Sequence, residues 1–184
     1  LVKKGIIGIE GVTFQYGYVS EADASTTECG SGIYVSGSAG DTSVELTDCV
    51  IRDCKSTVTT SLKQGGAAVF ILSGQVRLNN VKLLDNTSVG RGGAVRCNSK
   101  TAVALMNNSL LKGNSHSGSW GNGIQMSEGH ICMNNTTIIE NEGTGAALNG
   151  GGSFLLVNST IVGNGSDSHG AVRCETGIGG DTKF

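Results

Sequence analysis

The stretch GGAVRCNSKTAVALMNNSLLKGN, residues 92–114, holds one complete unit of a pattern that recurs along this chain. It opens with a glycine-led step and three extended residues, 95–97. Apolar residues then alternate with others up to Asn108, and Leu111 and Asn114 close the unit. Alternation with a period of two is typical of β-strands, and the connections are rich in Gly, Ser, Asn and Thr, as turns require. The unit therefore predicts short strands joined by tight bends.

Both halves of this unit recur. The place of Asn108 is taken by Asn or Asp in five units, spaced by 32, 28, 27 and 23 residues (48 to 80, 80 to 108, 108 to 135, 135 to 158). These residues are Asp48, Asn80, Asn108, Asn135 and Asn158. The glycine-led step occurs six times, and no unit has the helical stretch of roughly ten residues that a βαβ crossover needs.

A unit of three short strands cannot bury its apolar side alone, but stacked units can if each wraps once around a common axis. Each strand then pairs with its copy one turn above, about 4.8 Å away. The predicted fold class is all-β: a right-handed parallel β-helix, or solenoid, of about six coils with three short strands per coil. We expect one domain over residues 1–184 that is a segment of a longer solenoid or multidomain protein. Flanking coils or a capping domain are expected because open strand edges invite aggregation.

Strand alternation predicts which side chains stack inside the coils. Three inward columns are expected: Val35, Phe70, Cys97, Met126, Leu148 and Cys174; Leu46, Leu78, Met106, Met133 and Leu156; and Phe14, Ile51, Leu83, Leu111, Ile138 and Ile161. The outward column of the glycine-led strand is expected to be Tyr34, Val69, Arg96, Gln125, Ala147 and Arg173.

The column of Asp48, Asn80, Asn108, Asn135 and Asn158 predicts a structural ladder rather than a catalytic group. An Asn amide both donates and accepts hydrogen bonds, and Asn tolerates left-handed backbone, so it can satisfy a tight bend. Stacked Asn residues can also bond to each other from coil to coil. The same column creates several Asn-x-Ser/Thr sequons, and we expect Asn135 and Asn158 to be buried and hence poor glycosylation acceptors.

Composition narrows the function. Lys and Arg number 13 against 15 Asp and Glu, which argues against a protein that neutralises many nucleic-acid phosphates. No apolar run approaches the roughly 18 residues of a membrane span, so direct membrane insertion is not expected. Gly is 30 and Pro is 0, a combination that excludes collagen and Pro-rich linkers.

The repeats also resemble a known family. Gly92-Gly93-Ala94-Val95 and its copies look like the GGA[ILV] motif of the chlamydial polymorphic outer membrane proteins. The companion FxxN motif is resembled by residues 14–17, 83–86, 111–114, 138–141 and 161–164. Similar repeats occur in bacterial surface and secreted β-helix proteins of the pectate-lyase-like superfamily. The resemblance covers nearly the whole chain, although Ile or Leu usually replaces Phe, and it implies an extracellular or cell-surface location, outer-membrane-associated in bacteria.

Four local features are candidate sites. Arg96, Trp120 and Gln125 form the best patch for a ligand, since aromatic faces stack on sugars and arginine pairs with carboxylates. Tyr16, Tyr18 and Tyr34 form a second candidate patch. Asp53 and Asp85 on adjacent coils could share Ca²⁺, although two solvated turn carboxylates are the more ordinary interpretation, and no other cofactor is expected. Cys29 and Cys54 could pair if the protein is exported.

Three functions remain open. The favoured one is a non-catalytic β-helix of a bacterial surface or secreted protein, adhesin-like or glycan-binding, whose partner is a glycan or host-surface ligand. A segment of a polysaccharide lyase or glycoside hydrolase is the second, and a self-assembling structural solenoid is the third. Catalysis is less favoured because the outward column lacks carboxylates and its two arginines lie about 14 Å apart over three coils of ~4.8 Å. The three histidines, His116, His130 and His169, fall in different loops.

Overall fold

The fold is an all-β solenoid. The computed structural model describes residues 4–20, 30–37, 42–59, 65–117, 121–143, 147–165 and 171–174. These ranges contain twenty strands in three sheets, and every pairing between strands is parallel. Within the same ranges no helix is long and apolar enough to cross a membrane.

The largest sheet, called the long sheet, contains ten strands. They are β1 (Gly5–Glu10), β4 (Ile33–Val35), β5 (Thr42–Thr47), β8 (Val69–Ile71), β9 (Gly74–Asn79), β12 (Val95–Asn107), β15 (Ile124–Asn134), β17 (Leu148–Gly150), β18 (Ser153–Val157) and β20 (Val172–Cys174). Two of them, β12 and β15, are long enough to pair end to end with two shorter strands each. The register between β12 and β15 shifts after Cys97.

Two narrower sheets complete each coil. The middle sheet contains β2 (Thr13–Gln15), β6 (Val50–Arg52), β10 (Lys82–Leu84), β13 (Leu110–Lys112), β16 (Thr137–Ile139) and β19 (Thr160–Val162). The short sheet contains β3 (Tyr18–Val19), β7 (Lys55–Ser56), β11 (Thr87–Ser88) and β14 (Ser115–His116). Three faces per turn confirm the predicted parallel β-helix.

The dry interior is made of stacked aliphatic side chains, as the alternation predicts. Leu46, Leu78 and Met106 lie in register and are at most 1% exposed. The column through Ile51, Leu83, Leu111 and Ile138 is equally buried. Two of the three predicted inward columns are therefore confirmed.

The third predicted column is wrong in two coils. Val35 pairs with Ile71, not with Phe70, and Met126 pairs with Gly150, not with Leu148. The outward column is correspondingly Tyr34, Phe70, Arg96, Gln125, Asn149 and Arg173, so Val69 and Ala147 do not belong to it.

The register error has a steric origin. A Cβ built on Gly66 or Gly92 would overlap the carbonyl oxygen of the residue three positions later, Val69 or Val95. Gly66 is therefore the structural equivalent of Gly92, whereas the sequence motif aligns Gly65 with it. The offset of one residue is not visible in the sequence, because each small residue of this run fits the pattern of the glycine-led step.

A buried asparagine ladder holds the bend between the middle and short sheets. Asn86 Nδ2 donates to Asn114 Oδ1 at 2.8 Å, Asn114 Nδ2 to Asn141 Oδ1 at 2.9 Å, and Asn141 Nδ2 to Asn164 Oδ1 at 2.8 Å. The first three side chains are 0% exposed. Each amide also bonds backbone groups of its neighbours, so the ladder satisfies a bend that would otherwise leave buried groups unpaired. The sequence shows these residues only as the last position of the FxxN-like motif.

The predicted ladder residues occupy the other bend, between the long and middle sheets. All five have left-handed backbone, with φ between 48° and 54°. Asn80 Nδ2 donates to Asp48 Oδ1 at 2.5 Å, and Asn135 Nδ2 donates to Asn108 Oδ1 at 2.7 Å. These side chains are exposed, so the expected burial of Asn135 and Asn158 is wrong. The reason is local: the left-handed residue points out, and the residue after it points in.

Candidate functional site

An open groove of about 500 Å³ crosses the outer face of the middle sheet over the first three coils. It is lined by Thr13, Gln15, Val50, Arg52, Lys82 and Leu84. The register explains this set: Thr13, Val50 and Lys82 form one outward row, and Gln15, Arg52 and Leu84 form the other. The residues between the rows point into the core, so the groove has a rigid base.

Arg52 is held in place within the groove. Its Nε and Nη2 donate to Gln15 Oε1 at 3.3 and 3.2 Å, and its Nε lies 3.4 Å from Asp53 Oδ2. The groove thus combines an oriented guanidinium, an exposed ammonium at Lys82, a hydroxyl, and the aliphatic side chains of Val50 and Leu84. Sequence analysis missed it because its residues come from three units and none stands out alone. The sequence could have indicated the groove, because the residues on either side of the core column of Ile51 and Leu83 in β2, β6 and β10 are expected to point outward.

A second polar feature lies on the outer side of the glycine-led strands. Arg96 Nη2 donates to Asn98 Oδ1 at 2.8 Å, Ser127 Oγ donates to the same oxygen at 3.1 Å, and Gln125 Nε2 donates to Ser127 at 3.3 Å. Arg96 Cζ lies 5.5 Å from the ring centroid of Phe70, a cation–π distance. These side chains form one connected network across two coils.

This row is not an open surface, contrary to its expected outward exposure. Arg96 is 1% exposed and Gln125 is 5% exposed. Trp120 lies outside the described residues, so the proposed grouping of Arg96, Trp120 and Gln125 as a ligand site stays a prediction. Asn149 continues the row at 1% exposure, and its two amide atoms have no hydrogen-bond partner among the described residues. The register error concealed Asn149 from the sequence prediction.

The acidic pair also has a defined position. Asp53 and Asp85 occupy the left-handed residue of the middle-to-short bend in adjacent coils, with φ of 54° and 53°. Asp53 contacts Arg52. The Asp85 Oδ1 atom lies over Gly113 of the next coil, close to the place that a Cβ on that residue would occupy. Among the described residues there is no group of three or more His, Cys, Asp or Glu side chains able to hold a metal ion. A Ca²⁺ site at Asp53 and Asp85 stays a prediction.

Cys54 is a free thiol. Cys29 lies outside the described residues, so the pairing of Cys29 with Cys54 stays a prediction. Cys54 occupies the position of the buried ladder asparagines, and its backbone N–H donates to Asn86 Oδ1 at 3.0 Å. Burial raises the pKa of the Cys54 thiol. Burial also raises the pKa of Cys97 to about 12, although the charge of Arg96 opposes the shift. The described cysteine that reaches solvent in part is Cys132.

The tyrosines do not form one patch. Tyr16 and Tyr18 are 68% and 59% exposed, but Tyr34 is 9% exposed and its ring lies 5.5 Å from that of Phe70. Tyr16 directly follows the groove residue Gln15 in the chain but is not among the residues that line the groove.

Stacked parallel coils with an internal asparagine ladder define a β-helical solenoid. Residues 7–179 match the family model described as right handed beta helix region, so the chain belongs to this family. Neither a curated protein nor a solved structure is significantly similar to the chain.

Proposed function

We propose that this chain is a non-catalytic β-helix of a bacterial surface or secreted protein and that its outer face binds glycans in an adhesin-like role. The groove on the middle sheet supports the proposal. Sugar rings present apolar C–H faces and several hydroxyls, and a site for them combines aliphatic or aromatic contact with a few convergent polar groups. Val50 and Leu84 supply the aliphatic contact, and Thr13, Gln15 and Arg52 supply the polar groups.

The groove's rigidity also favours binding. The central residues of its three strands are fixed in the core, so the backbone beneath the groove needs little ordering when a ligand binds. Repetition of the coil continues the same sheet beyond the groove, which gives an extended polymer further surface to contact.

Val50→Trp tests the proposal, since an indole at this outward position fills the groove. Leu110→Trp is the matched control, because Leu110 lies in the same row two coils further on and does not line the groove. On a glycan array, we expect wild type and Leu110→Trp to bind the same glycans and Val50→Trp to lose them. Absence of glycan binding by the wild type, or equal binding by both variants, contradicts the proposal.

A further inference from the structure

The two cations of the groove differ in their surroundings. Arg52 is engaged by Gln15 and by the carboxylate of Asp53. Lys82 is exposed, and no ion pair or hydrogen bond of its ammonium exists within the described ranges of the chain. The groove therefore contains one positive charge that no described side chain compensates.

The acidic residues of the middle-to-short bend are directed elsewhere. Asp85 follows Leu84 on the same coil as Lys82, but its Oδ1 lies over Gly113 of the next coil. Glu140, further along the same column of bends, is paired with Lys112 at 3.1 Å. The three acidic side chains of this column thus do not neutralise Lys82, although the protein as a whole has a net charge of -2.

The geometry points to an anionic ligand: we propose that the groove binds a carboxylate, sulfate or phosphate group carried on a glycan, with Lys82 and Arg52 as its cationic contacts. Lys82 and Arg52 lie on adjacent coils, about 4.8 Å apart along the solenoid axis, and on the two rows that flank the core column. Two long side chains that start from opposite rows can converge on one oxyanion above Val50 and Leu84. Gln15 and Asp53 hold the guanidinium for this contact, and an arginine held in this way binds oxyanions with directional hydrogen bonds.

This inference rests on the proposed glycan binding and adds the charge of the ligand. Exposed ion pairs contribute up to about 1 kcal/mol, which corresponds to roughly fivefold in affinity. We therefore expect Lys82→Gln, which removes the charge and leaves a polar side chain one atom shorter, to weaken binding of an anionic glycan about two- to fivefold. The loss shrinks as salt rises, because the contact is exposed.

Dextran sulfate and unsubstituted dextran of equal length are suitable probes, since they differ only in the anionic group. Affinity is measured at low and high salt for the wild type, Lys82→Gln and Lys100→Gln; Lys100 is an exposed lysine of β12, away from the groove. We expect the wild type to prefer dextran sulfate, Lys82→Gln to lose most of that preference, and Lys100→Gln to keep it. Equal binding of the two dextrans by the wild type overturns the inference, as does an equal effect of the two substitutions.

Failure of the inference and failure of the proposed function give different results. In one outcome, the wild type binds neutral glycans, Val50→Trp loses them, and Lys82→Gln changes binding of no glycan. This outcome supports glycan binding and refutes the anionic preference. In the other outcome, polyglutamate binds as tightly as dextran sulfate, and Lys82→Gln weakens both. No sugar is then required, which supports the anion site and refutes the proposal that the ligand is a glycan. Circular dichroism of each variant confirms that the β-helix is intact.

Discussion

Substitution of Asn114 by alanine tests whether the buried ladder stabilises the solenoid. Asn114 is 0% exposed, and its Nδ2 donates to Leu83 O at 2.9 Å and to Asn141 Oδ1 at 2.9 Å. Its Oδ1 accepts from the backbone N–H of Asn86 at 3.1 Å and from Asn86 Nδ2 at 2.8 Å. One side chain thus connects three consecutive coils.

The expected cost follows from what the substitution leaves behind. The Asn86 N–H loses its acceptor while buried, at about 1–3 kcal/mol, and the other side-chain bonds are lost at roughly 0.5–1.5 kcal/mol each. Because a small cavity also forms, we expect Asn114→Ala to lower the free energy of unfolding by at least about 2.5 kcal/mol. Urea titration followed by far-UV circular dichroism measures this change.

Asn108→Gly is the matched control at the exposed bend. Glycine adopts the positive φ of 50° without strain, and Asn108 offers one exposed acceptor to Asn135, so a change below about 1 kcal/mol is expected. Hydrogen exchange gives a second readout, since the Asn86 amide should exchange faster in Asn114→Ala. If Asn114→Ala destabilises no more than Asn108→Gly, or the Asn86 amide stays protected, the buried ladder is not what stabilises this bend.

Three further predictions follow from local geometry. In the native protein at pH 8, iodoacetamide should modify Cys132 at least about tenfold faster than Cys97. Cys97 is 0% exposed, and burial keeps it a thiol by raising its pKa to about 12. Equal labelling of the two cysteines in peptide mapping would contradict the burial of Cys97. Gly93→Ala should lower the free energy of unfolding by about 1–3 kcal/mol, since its Cβ would overlap a backbone carbonyl of the next coil. Gly8→Ala is the control: a Cβ there meets no atom within 4 Å, so the change should be less than about 1 kcal/mol. Equal melting temperatures of the two variants would refute this. Asn149→Leu should leave stability unchanged or raise it, because both amide atoms are buried and have no partner in the described part of the chain. A lower unfolding midpoint would mean that the amide is bonded.

Much of the fold could be predicted because the repeat is visible in the sequence. Alternation identifies inward columns such as that of Leu46, Leu78 and Met106, since a strand presents successive side chains to opposite faces. The prediction failed where the pattern is degenerate. Gly65, Gly66 and Ala67 are all small, and a one-residue shift exchanges inward and outward side chains, which moved Phe70 to the wrong face.

The asparagine columns show a similar limit. The columns of Asn108 and Asn114 are separated by the same number of residues in every unit. On sequence alone, either column is consistent with a ladder. Backbone conformation distinguishes them: Asn108 is left-handed and exposed, whereas Asn114 follows the left-handed Gly113 and points inward. Sequence analysis assigned the ladder to the first column because it is the more regular in residue type.

The amino-acid sequence by itself determined the class of fold, because a repeated unit of short alternating strands buries its apolar side only by stacking on copies of itself. It also determined most of the core, since period-two alternation selects the inward residues. Tertiary structure decided the register at the glycine-led step, where backbone contacts between coils select one glycine from several. It also decided the groove, because Gln15, Arg52 and Lys82 come from three units and are brought together only when coils pair strand over strand.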